Sequence, residues 1–488
     1  MTMPYSITFT LHADPLSTSQ LLRPNSQSRS YICVSSRPLD SAMSELTFLF
    51  MDSSILSGKW LIRFRTSLLD FVNFTVFLFL DFLDAILCVI YRYIDQFLEG
   101  KTTACYCGSR GEERGNADGD GENELSETLY GRRNVFRRIA LVGFSGSCKD
   151  SEKMNSGSAW NRWSDCGCSS CVDGMENRNQ KLYVAVREPP RGRSGKPKEN
   201  VIFLHGFVSS SSLWTESVFP NLSETQKLNY RLFAVDLLGF GRSPKPRDCF
   251  YTMKDHLEKI ESVIHQFGLN SFHLVAHSMG CLIALALAAK YSNSVKTITL
   301  VAPPYFPSKH GVAMAVLENL AAKRIWPPLL FGSSVMSWYE HVGRCACFFI
   351  CRNHRIWEWI LRRINPRSNI DFRVIDLTKH THHSAWHSMH NVICGGAKLM
   401  DGYLDELSRA GVKIYIYHGD QDVVAPVECS YNLKKKAVDA TVNMVKNADH
   451  QTIILGRERE LTQDLEYIWA NTADIERALK YCIPTKVV

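Results

Sequence analysis

Three residues that could together perform acyl transfer follow three separate apolar runs of the chain. Ser278 comes after FHLVAH, Asp422 after KIYIYHG, and His450 after TVNMV. A serine hydroxyl attacks a carbonyl carbon only when a base takes its proton, and that base must be oriented by an acid. We therefore predict that Ser278 is the nucleophile, His450 the general base and Asp422 the acid. Asp420 is the alternative acid.

The sequence around the serine departs from the usual pattern of a nucleophile elbow. That pattern is G-x-S-x-G, whereas this chain has A-H-S-M-G. Ser278 is therefore either a nucleophile at a sharp strand-to-helix turn or a serine that caps the helix after it. Ala276 and Gly280 are both small enough for the turn, and a helix N-terminus beside the serine favours a developing anion. Together with the other two strand-end residues, these points favour the nucleophile.

A second turn could supply hydrogen-bond donors for the oxyanion of this reaction. The apolar run VIFL is followed by His205, Gly206 and Phe207. A histidine–glycine turn at such a place commonly offers a backbone amide, so we predict that the amides of Phe207 and Met279 form an oxyanion hole. The alternative is an ordinary tight turn. Asp236, at the end of another run, is predicted to hold the glycine-containing turn after it.

The elements that would position these residues begin at Lys181. From there, short apolar runs alternate with helical patterns such as HLEKIESVIHQF and MGCLIALALAAKY. This alternation predicts a mostly parallel, doubly wound α/β sheet whose strands are buried on both faces. The carboxyl ends of such strands meet at one edge, which would bring the three residues together. Their order along the chain is that of the α/β-hydrolase fold, which we therefore predict.

One long gap interrupts the alternation. Residues 305–411 are rich in Trp, Phe and His, and a structureless loop of that length is implausible, so we predict an inserted helical lid. The segment holds 13 Lys and Arg against 8 Asp and Glu, within a formal net charge of +7 for the chain. No nucleic-acid-binding motif accompanies this charge, so it indicates an anionic substrate or a membrane surface rather than nucleic acid. Solvated helix faces are the alternative.

A hydrophobic segment precedes the α/β part. Residues 71–91 are long enough to cross a bilayer, but they contain two aspartates. At 100° per residue, the polar side chains here fall on one narrow stripe. We predict an N-terminal hydrophobic anchor helix, foremost a signal anchor. The alternatives are a helix in the membrane interface and a span whose stripe faces protein. The stripe consists of Asp70, Asn73, Asp81, Asp84 and Asp95.

The chain is thus predicted to consist of six segments. These are a disordered or uncertain extension (1–60), the anchor helix (61–100), a linker with a cysteine motif (101–180), the first part of the hydrolase core (181–304), the lid (305–411) and the second part of the core (412–488). The extension is poor in acidic residues, as transit peptides are, and the linker contains a Gly- and charge-rich stretch.

Cysteines and histidines raise the question of metal binding. The motif WSDCGCSSC at residues 163–171 favours disulfides formed in an oxidising compartment, with a zinc site as the alternative. Acylation of Cys105 or Cys107 is a further alternative. His383 and His387 share a helical face, but no Glu or Cys accompanies them in the manner of a zinc enzyme. We therefore predict no metal and no cofactor.

Several longer motifs match one known family. They are HGFVSSSSLWTE, VDLLGFGRSPKP, LVAHSMGCLIALALA and HGDQDVVAPVECSY, with WSDCGCSSC, WPPLLFGSSVMSWYEH and SAWHSMHNVICG. By these motifs the chain resembles the plant BODYGUARD family of α/β-hydrolases, from near Phe64 to the C-terminus. The resemblance assigns the nucleophile, the acid and the base to Ser278, Asp422 and His450.

The resemblance also implies a function. It indicates a lysophospholipase or cutin-forming esterase that acts on a lipid ester and is needed for cuticle formation. The protein would be membrane-anchored or secreted, at the cell wall or periphery of epidermal cells. Two alternatives are kept: an acyltransferase that builds the cutin polyester through the same acyl-enzyme, and a non-catalytic ligand receptor on a hydrolase fold. Hydrolases of this fold that use an Asp nucleophile are disfavoured by Ser278.

Overall fold

The computed structural model describes ten parts of the chain. They are residues 58–99, 121–129, 134, 136, 181–190, 199–246, 248–309, 311–321, 335–364 and 371–482. The predictions for residues 1–57, for Cys105 and Cys107, and for the cysteine motif at 163–171 lie outside the described residues.

A seven-stranded sheet forms the centre of the fold, in the order β1-β3-β2-β4-β5-β6-β7. The first strand runs antiparallel to β3, and every other neighbouring pair is parallel. The predicted mostly parallel α/β sheet is therefore confirmed. The strands are β1 (Val184–Arg187), β2 (Glu199–Leu204), β3 (Tyr230–Val235), β4 (Phe272–His277), β5 (Val295–Val301), β6 (Lys413–Gly419) and β7 (Thr441–Val445).

The described part of the chain contains thirteen α-helices. They are α1 (Gly58–Glu99), α2 (Ser212–Asn221), α3 (Glu224–Asn229), α4 (Met253–Phe267), α5 (Met279–Lys290), α6 (Val312–Ala321), α7 (Glu340–Phe349), α8 (His354–Ile364), α9 (Phe372–Asp376), α10 (His382–His387), α11 (Met400–Arg409), α12 (Glu428–Lys436) and α13 (Glu458–Cys482). Of these, α4, α5 and α11 cover one face of the sheet and α2 and α13 the other. Short 3₁₀ turns lie at Gly121–Asn123, Glu127–Leu129 and Gly395–Lys398, and a π-helix at Ser388–Cys394.

The apolar runs form strands in the middle of the sheet, where the side chains of one strand point alternately into two hydrophobic cores. In β2, Ile202 and Leu204 join the core under α4, α5 and α11, whereas Val201 and Phe203 join the core under α2 and α13. Helix α5 is apolar all round, and its residues 279–288 are all buried. A helix of that composition has to lie between the sheet and a further layer. Here α11 supplies that layer.

The insertion between β5 and β6 is helical in its described parts, from α6 to α11. Its last helix, α11, packs on α5 as part of the core rather than over the strand ends. The π-helix before it is buried throughout and is fixed to the loop after β3, because Asn391 Nδ2 donates to the carbonyl of Phe250 at 2.7 Å. The lid is therefore attached to the core by polar contacts as well as by apolar packing.

Helix α1 is the one described helix that is long and apolar enough to cross a membrane, over Phe74–Leu98. Its acidic stripe nevertheless contacts protein, since Asp84 and Asp95 are only 3% and 2% exposed. Asp95 forms a bidentate ion pair with Arg344 of α7 at 2.7 and 2.9 Å. Asp84 accepts a hydrogen bond from the amide of His341 at 3.1 Å. The opposite face, which includes several Phe side chains, is exposed.

Buried histidines make the fold sensitive to acid. Burial lowers the pKa of His256 to about 4 and the pKa values of His277 and His390 to about 3. An unfolded chain protonates histidine near pH 6.5. Between that pH and about pH 4 the unfolded state therefore takes up protons that the folded state does not, and stability falls as the pH falls.

We expect the variant His390→Leu to lose part of this dependence. The slope of unfolding free energy against pH, between pH 6 and 4, should become shallower by up to about 1.4 kcal/mol per pH unit. Urea unfolding at several pH values measures the slope. The matched control is His265→Leu, which removes an exposed histidine of α4. Equal slopes for His390→Leu and the wild type would contradict this account.

Candidate active site

Ser278 occupies the one-residue turn between β4 and α5. Its backbone has φ 51° and ψ −122°, a left-handed conformation that is uncommon for a residue with a side chain. Such a conformation costs roughly 1–3 kcal/mol and persists only where the surroundings enforce it. Here the amide of Ser278 donates to the carbonyl of Val301 at 2.9 Å. The serine stands at the N-cap position of α5, yet its hydroxyl caps no helix amide, which excludes the capping interpretation.

The elbow tolerates the alanine but not the loss of its second glycine. A Cβ on Gly280 would lie 2.5 Å from the carbonyl oxygen of His205 and 2.9 Å from that of Leu204. Both are backbone atoms, so the strand would have to move. Ala276 is a buried residue within β4, where its small side chain packs in the core. The departure from the usual motif therefore falls at the position that can accept a methyl group.

The structure brings the three predicted catalytic residues into one hydrogen-bonded chain. His450 Nε2 lies 2.9 Å from Ser278 Oγ, and His450 Nδ1 lies 2.7 Å from Asp422 Oδ2. The other oxygen of Asp422 accepts hydrogen bonds from the amides of residues 424 and 425, at 2.8 and 2.9 Å. The geometry is that of a nucleophile, a base and an orienting carboxylate.

Electrostatics keep this carboxylate ionised. Burial alone would raise the pKa of Asp422, but hydrogen bonds from His418 and His450 outweigh it and hold that pKa far below its usual range. His418 is itself buried, and its Nε2 lies 2.9 Å from the carbonyl of Ala425. The alternative acid, Asp420, is exposed. Asp422 is therefore the aspartate that contacts His450.

The turn with the predicted oxyanion amide lies directly against the serine. A Cβ on Gly206 would come within 3.1 Å of Ser278 Cβ. The ring of His205 fixes this turn: Nε2 accepts the amide of Leu237 at 2.9 Å, so Nδ1 carries the proton and donates to the carbonyl of Gly206 at 2.7 Å. Carbonyl and amide point in opposite directions across a trans peptide, so this bond also orients the amide of Phe207.

Asp236 holds the neighbouring glycine-containing turn, as predicted. Its two oxygens accept the amides of Ser211 at 2.5 Å and Arg242 at 2.7 Å. Gly241 has φ 56° and lies so close to the carboxylate that a Cβ there would collide with it. The same carboxylate favours protonation of His205, but burial outweighs it and lowers the pKa of that histidine. Neutral His205 is the form that can accept one hydrogen bond and donate another.

A further histidine beside the nucleophile was not singled out by the sequence. His277 Nε2 donates to the backbone carbonyl of His450 at 2.9 Å, and the two rings lie 4.9 Å apart. Because burial keeps its pKa near 3, His277 stays neutral and does not repel a protonated His450. Its only signal in the sequence is its place between Ala276 and Ser278, at the end of β4.

The predicted histidine pair of the lid packs against the core. The rings of His383 and His387 lie 4.2 Å apart, but they do not point two nitrogens at a common position: His383 Nε2 lies 2.9 Å from the carbonyl of Cys249. His383 also packs edge-on against Tyr251. Neither histidine belongs to a group of possible metal ligands among the described residues.

Comparison with known proteins identifies similar chains. The model of the α/β hydrolase fold family matches residues 199–327. Probable lysophospholipase BODYGUARD 4 of Arabidopsis thaliana is 51% identical over 419 residues, which cover 84% of this chain and 99% of that protein. Probable lysophospholipase BODYGUARD 5 of the same plant is 46% identical over 424 residues, covering 82% and 95%. Probable lysophospholipase BODYGUARD 1 is 38% identical over 458 residues, covering 83% and 97%.

The close approach of Gly280 to β2 generates a prediction. We expect Gly280→Ala to lower the free energy of unfolding by about 1–3 kcal/mol, because the added methyl group meets backbone oxygens that cannot move independently. Chemical denaturation measures the loss. The matched control is Gly402→Ala in α11, where nothing lies within 4 Å of the new Cβ. There the higher helix propensity of alanine should raise stability by up to about 1 kcal/mol. Equal stability of the two variants would refute the steric argument.

Proposed function

Since the chain belongs to the BODYGUARD family of α/β-hydrolases, we propose that it is a serine hydrolase of carboxylic esters. The observation that carries this proposal is the hydrogen-bonded chain from Ser278 through His450 to Asp422. Its backbone setting supports the proposal as well. The serine sits in a strained turn, against the turn of Gly206, and at the N-terminus of a buried helix.

Each group has a defined task in the proposed reaction. His450 takes the proton of Ser278 as its Oγ attacks the ester carbonyl, and Asp422 stabilises the imidazolium that forms. The amides of Phe207 and Met279 donate to the oxyanion of the tetrahedral intermediate, each contributing about 3–4 kcal/mol to its stabilisation. His450 then gives the proton to the leaving alcohol. In the second half of the reaction, His450 takes a proton from a water molecule as that water attacks the acyl-enzyme carbonyl. It then returns the proton to Ser278 Oγ as the acid product leaves.

We propose a lipid ester as the substrate, with a lysophospholipid as the leading candidate. The support is the name of the relatives, each a probable lysophospholipase. The oxyanion turn is also lined by apolar rings, which would suit an acyl chain. Phe207 of this turn packs edge-on against Phe240, with ring centroids 5.8 Å apart. We further propose a role in cuticle formation at the periphery of epidermal cells, which the sequence motifs imply by their resemblance to the family.

We also propose that the protein binds a membrane through α1 and α8 in the plane of the interface. The contacts of α1 with α7, and with Tyr339 directly before it, run from Phe77 to Asp95, about 27 Å of helix at 1.5 Å per residue. A helix held along that length by the protein has only its opposite, apolar face available for lipid. In α8, Trp357 and Trp359 are 43% and 57% exposed beside three arginines, a combination that favours the headgroup region.

The nucleophile is tested by a fluorophosphonate probe, which labels activated serines. Wild-type protein should be labelled, and Ser278→Ala should not be. Asp422→Asn should slow labelling by about 10³–10⁴-fold, because the base then loses its orienting anion. Asp420→Asn is the matched control, since it removes an exposed carboxylate two residues away, and it should react like the wild type.

Two outcomes would count against the proposal. Equal labelling of wild type and Ser278→Ala would remove the serine from the reaction. Restoration of a cuticle-deficient plant by Ser278→Ala would indicate a ligand receptor rather than a hydrolase. Product analysis with hydroxy-acyl acceptors separates hydrolysis from acyl transfer to another alcohol.

The in-plane orientation predicts that both ends of α1 stay on one side of the membrane. Purified protein is added to preformed vesicles and treated with a membrane-impermeant amine reagent, and mass spectrometry reads the labelling of Lys59 and Lys101. We expect both lysines to be labelled, with no further gain after the vesicles are lysed. Protection of either lysine before lysis would instead indicate a transmembrane span.

A further inference from the structure

Three side chains outside the catalytic centre converge on one point of the lid. Cys347 lies in α7, Cys351 follows that helix, and His380 precedes α10. The Sγ atoms of the two cysteines lie 3.7 and 3.5 Å from Nε2 of the histidine. All three ligand atoms lie within 4.8 Å of one another, and all three residues are buried. Both cysteines are thiols.

The backbone holds each of these residues in place independently. The turn after α7 is closed by the amide of Arg352, which donates to the carbonyl of Cys347, and by that of His354, which donates to Cys351. His380 forms an antiparallel bridge with Phe240. Directly after it, Thr381 caps α10 with both bonds of a capping box. The three side chains therefore come from two segments that are fixed by other contacts.

We propose that Cys347, Cys351 and His380 bind a zinc ion. Zinc bonds to thiolate sulfur at about 2.3 Å and to imidazole nitrogen at about 2.0–2.1 Å. In a tetrahedron these bond lengths place sulfur and nitrogen about 3.6 Å apart. The two observed separations are 3.5 and 3.7 Å. The proposal does not depend on the hydrolase activity.

The chemistry of the three ligands favours a soft cation. Both cysteines would bind the ion as thiolates, and the ion would compensate for the burial of their charge. Thiolate and imidazole suit zinc, whereas calcium and magnesium prefer oxygen. Among the described residues the group contains these three ligands alone, so a water molecule would be the fourth.

The proposed role of this site is structural. It would join α7, which carries the contacts to α1, to the segment of His380. That segment pairs with Phe240, whose ring packs on Phe207 next to the oxyanion turn. A bound zinc would thus fix the lid on the core close to the catalytic centre without contacting the substrate.

Metal content tests the proposal directly. The full chain is purified in detergent from zinc-supplemented cells, without chelator, and analysed by elemental mass spectrometry. We expect about one zinc ion per chain. The content should fall roughly tenfold or more in Cys351→Ser and in His380→Gln. The matched control is Cys394→Ala, which replaces another buried cysteine, in the π-helix; this variant should keep the zinc. Cys351→His, which retains a zinc ligand, should also keep it.

Cobalt provides a measurement that needs no variant. Wild-type protein stripped of metal and loaded with Co²⁺ should show a thiolate-to-cobalt charge-transfer band and the intense visible bands of a tetrahedral complex. Wild-type protein without zinc and without these bands would overturn the proposal. So would a disulfide between Cys347 and Cys351 in the native protein, detected by peptide mapping. Either result leaves fluorophosphonate labelling of Ser278 unaffected, so failure here is distinct from failure of the hydrolase proposal.

Discussion

The left-handed backbone at Ser278 is the constraint on which the rest of the site depends. A turn this sharp brings the first residues of α5 against β2, so that Gly280 touches the carbonyl of His205. The side chain of that same His205 orients the next peptide of the strand, and with it the amide of Phe207. The strained residue, the obligatory glycine and the neutral histidine are thus parts of one arrangement. A change at any of them disturbs the others.

Buried histidines do most of the positioning around this turn. His205, His277 and His418 each use their ring nitrogens to hold backbone atoms or side chains near the reacting groups. Burial suppresses the charge of His205 and His277. Asp422 is kept as an anion, at the side of His450 where a positive charge would form during the reaction. A fixed negative charge therefore lies where the proposed mechanism needs it.

Much of this could be predicted from the sequence, because parallel strands end at a common edge. That rule grouped Ser278, Asp422 and His450, together with their order along the chain and the resemblance to a known family. The histidine–glycine turn at residues 205–207 follows another strand of the same edge. The choice between Asp420 and Asp422 depended on the direction of a loop, which no periodicity reveals. His277 was missed because one histidine at a strand end has no pattern. Cys347 and His380 are 33 residues apart, and only the folding of the lid brings them together.

The packing of α1 on α7 gives this N-terminal helix a structural role in addition to that of an anchor. By composition it is a hydrophobic anchor, which would serve only to attach the protein to a membrane. In the structure it covers Arg344, whose guanidinium is paired with Asp95 and lies over the ring of Tyr91. A chain shortened to begin after the helix would leave that cation without its carboxylate on an uncovered lid. The helix is part of the folded enzyme, and a version truncated to improve solubility would lack the contacts that α1 makes with α7.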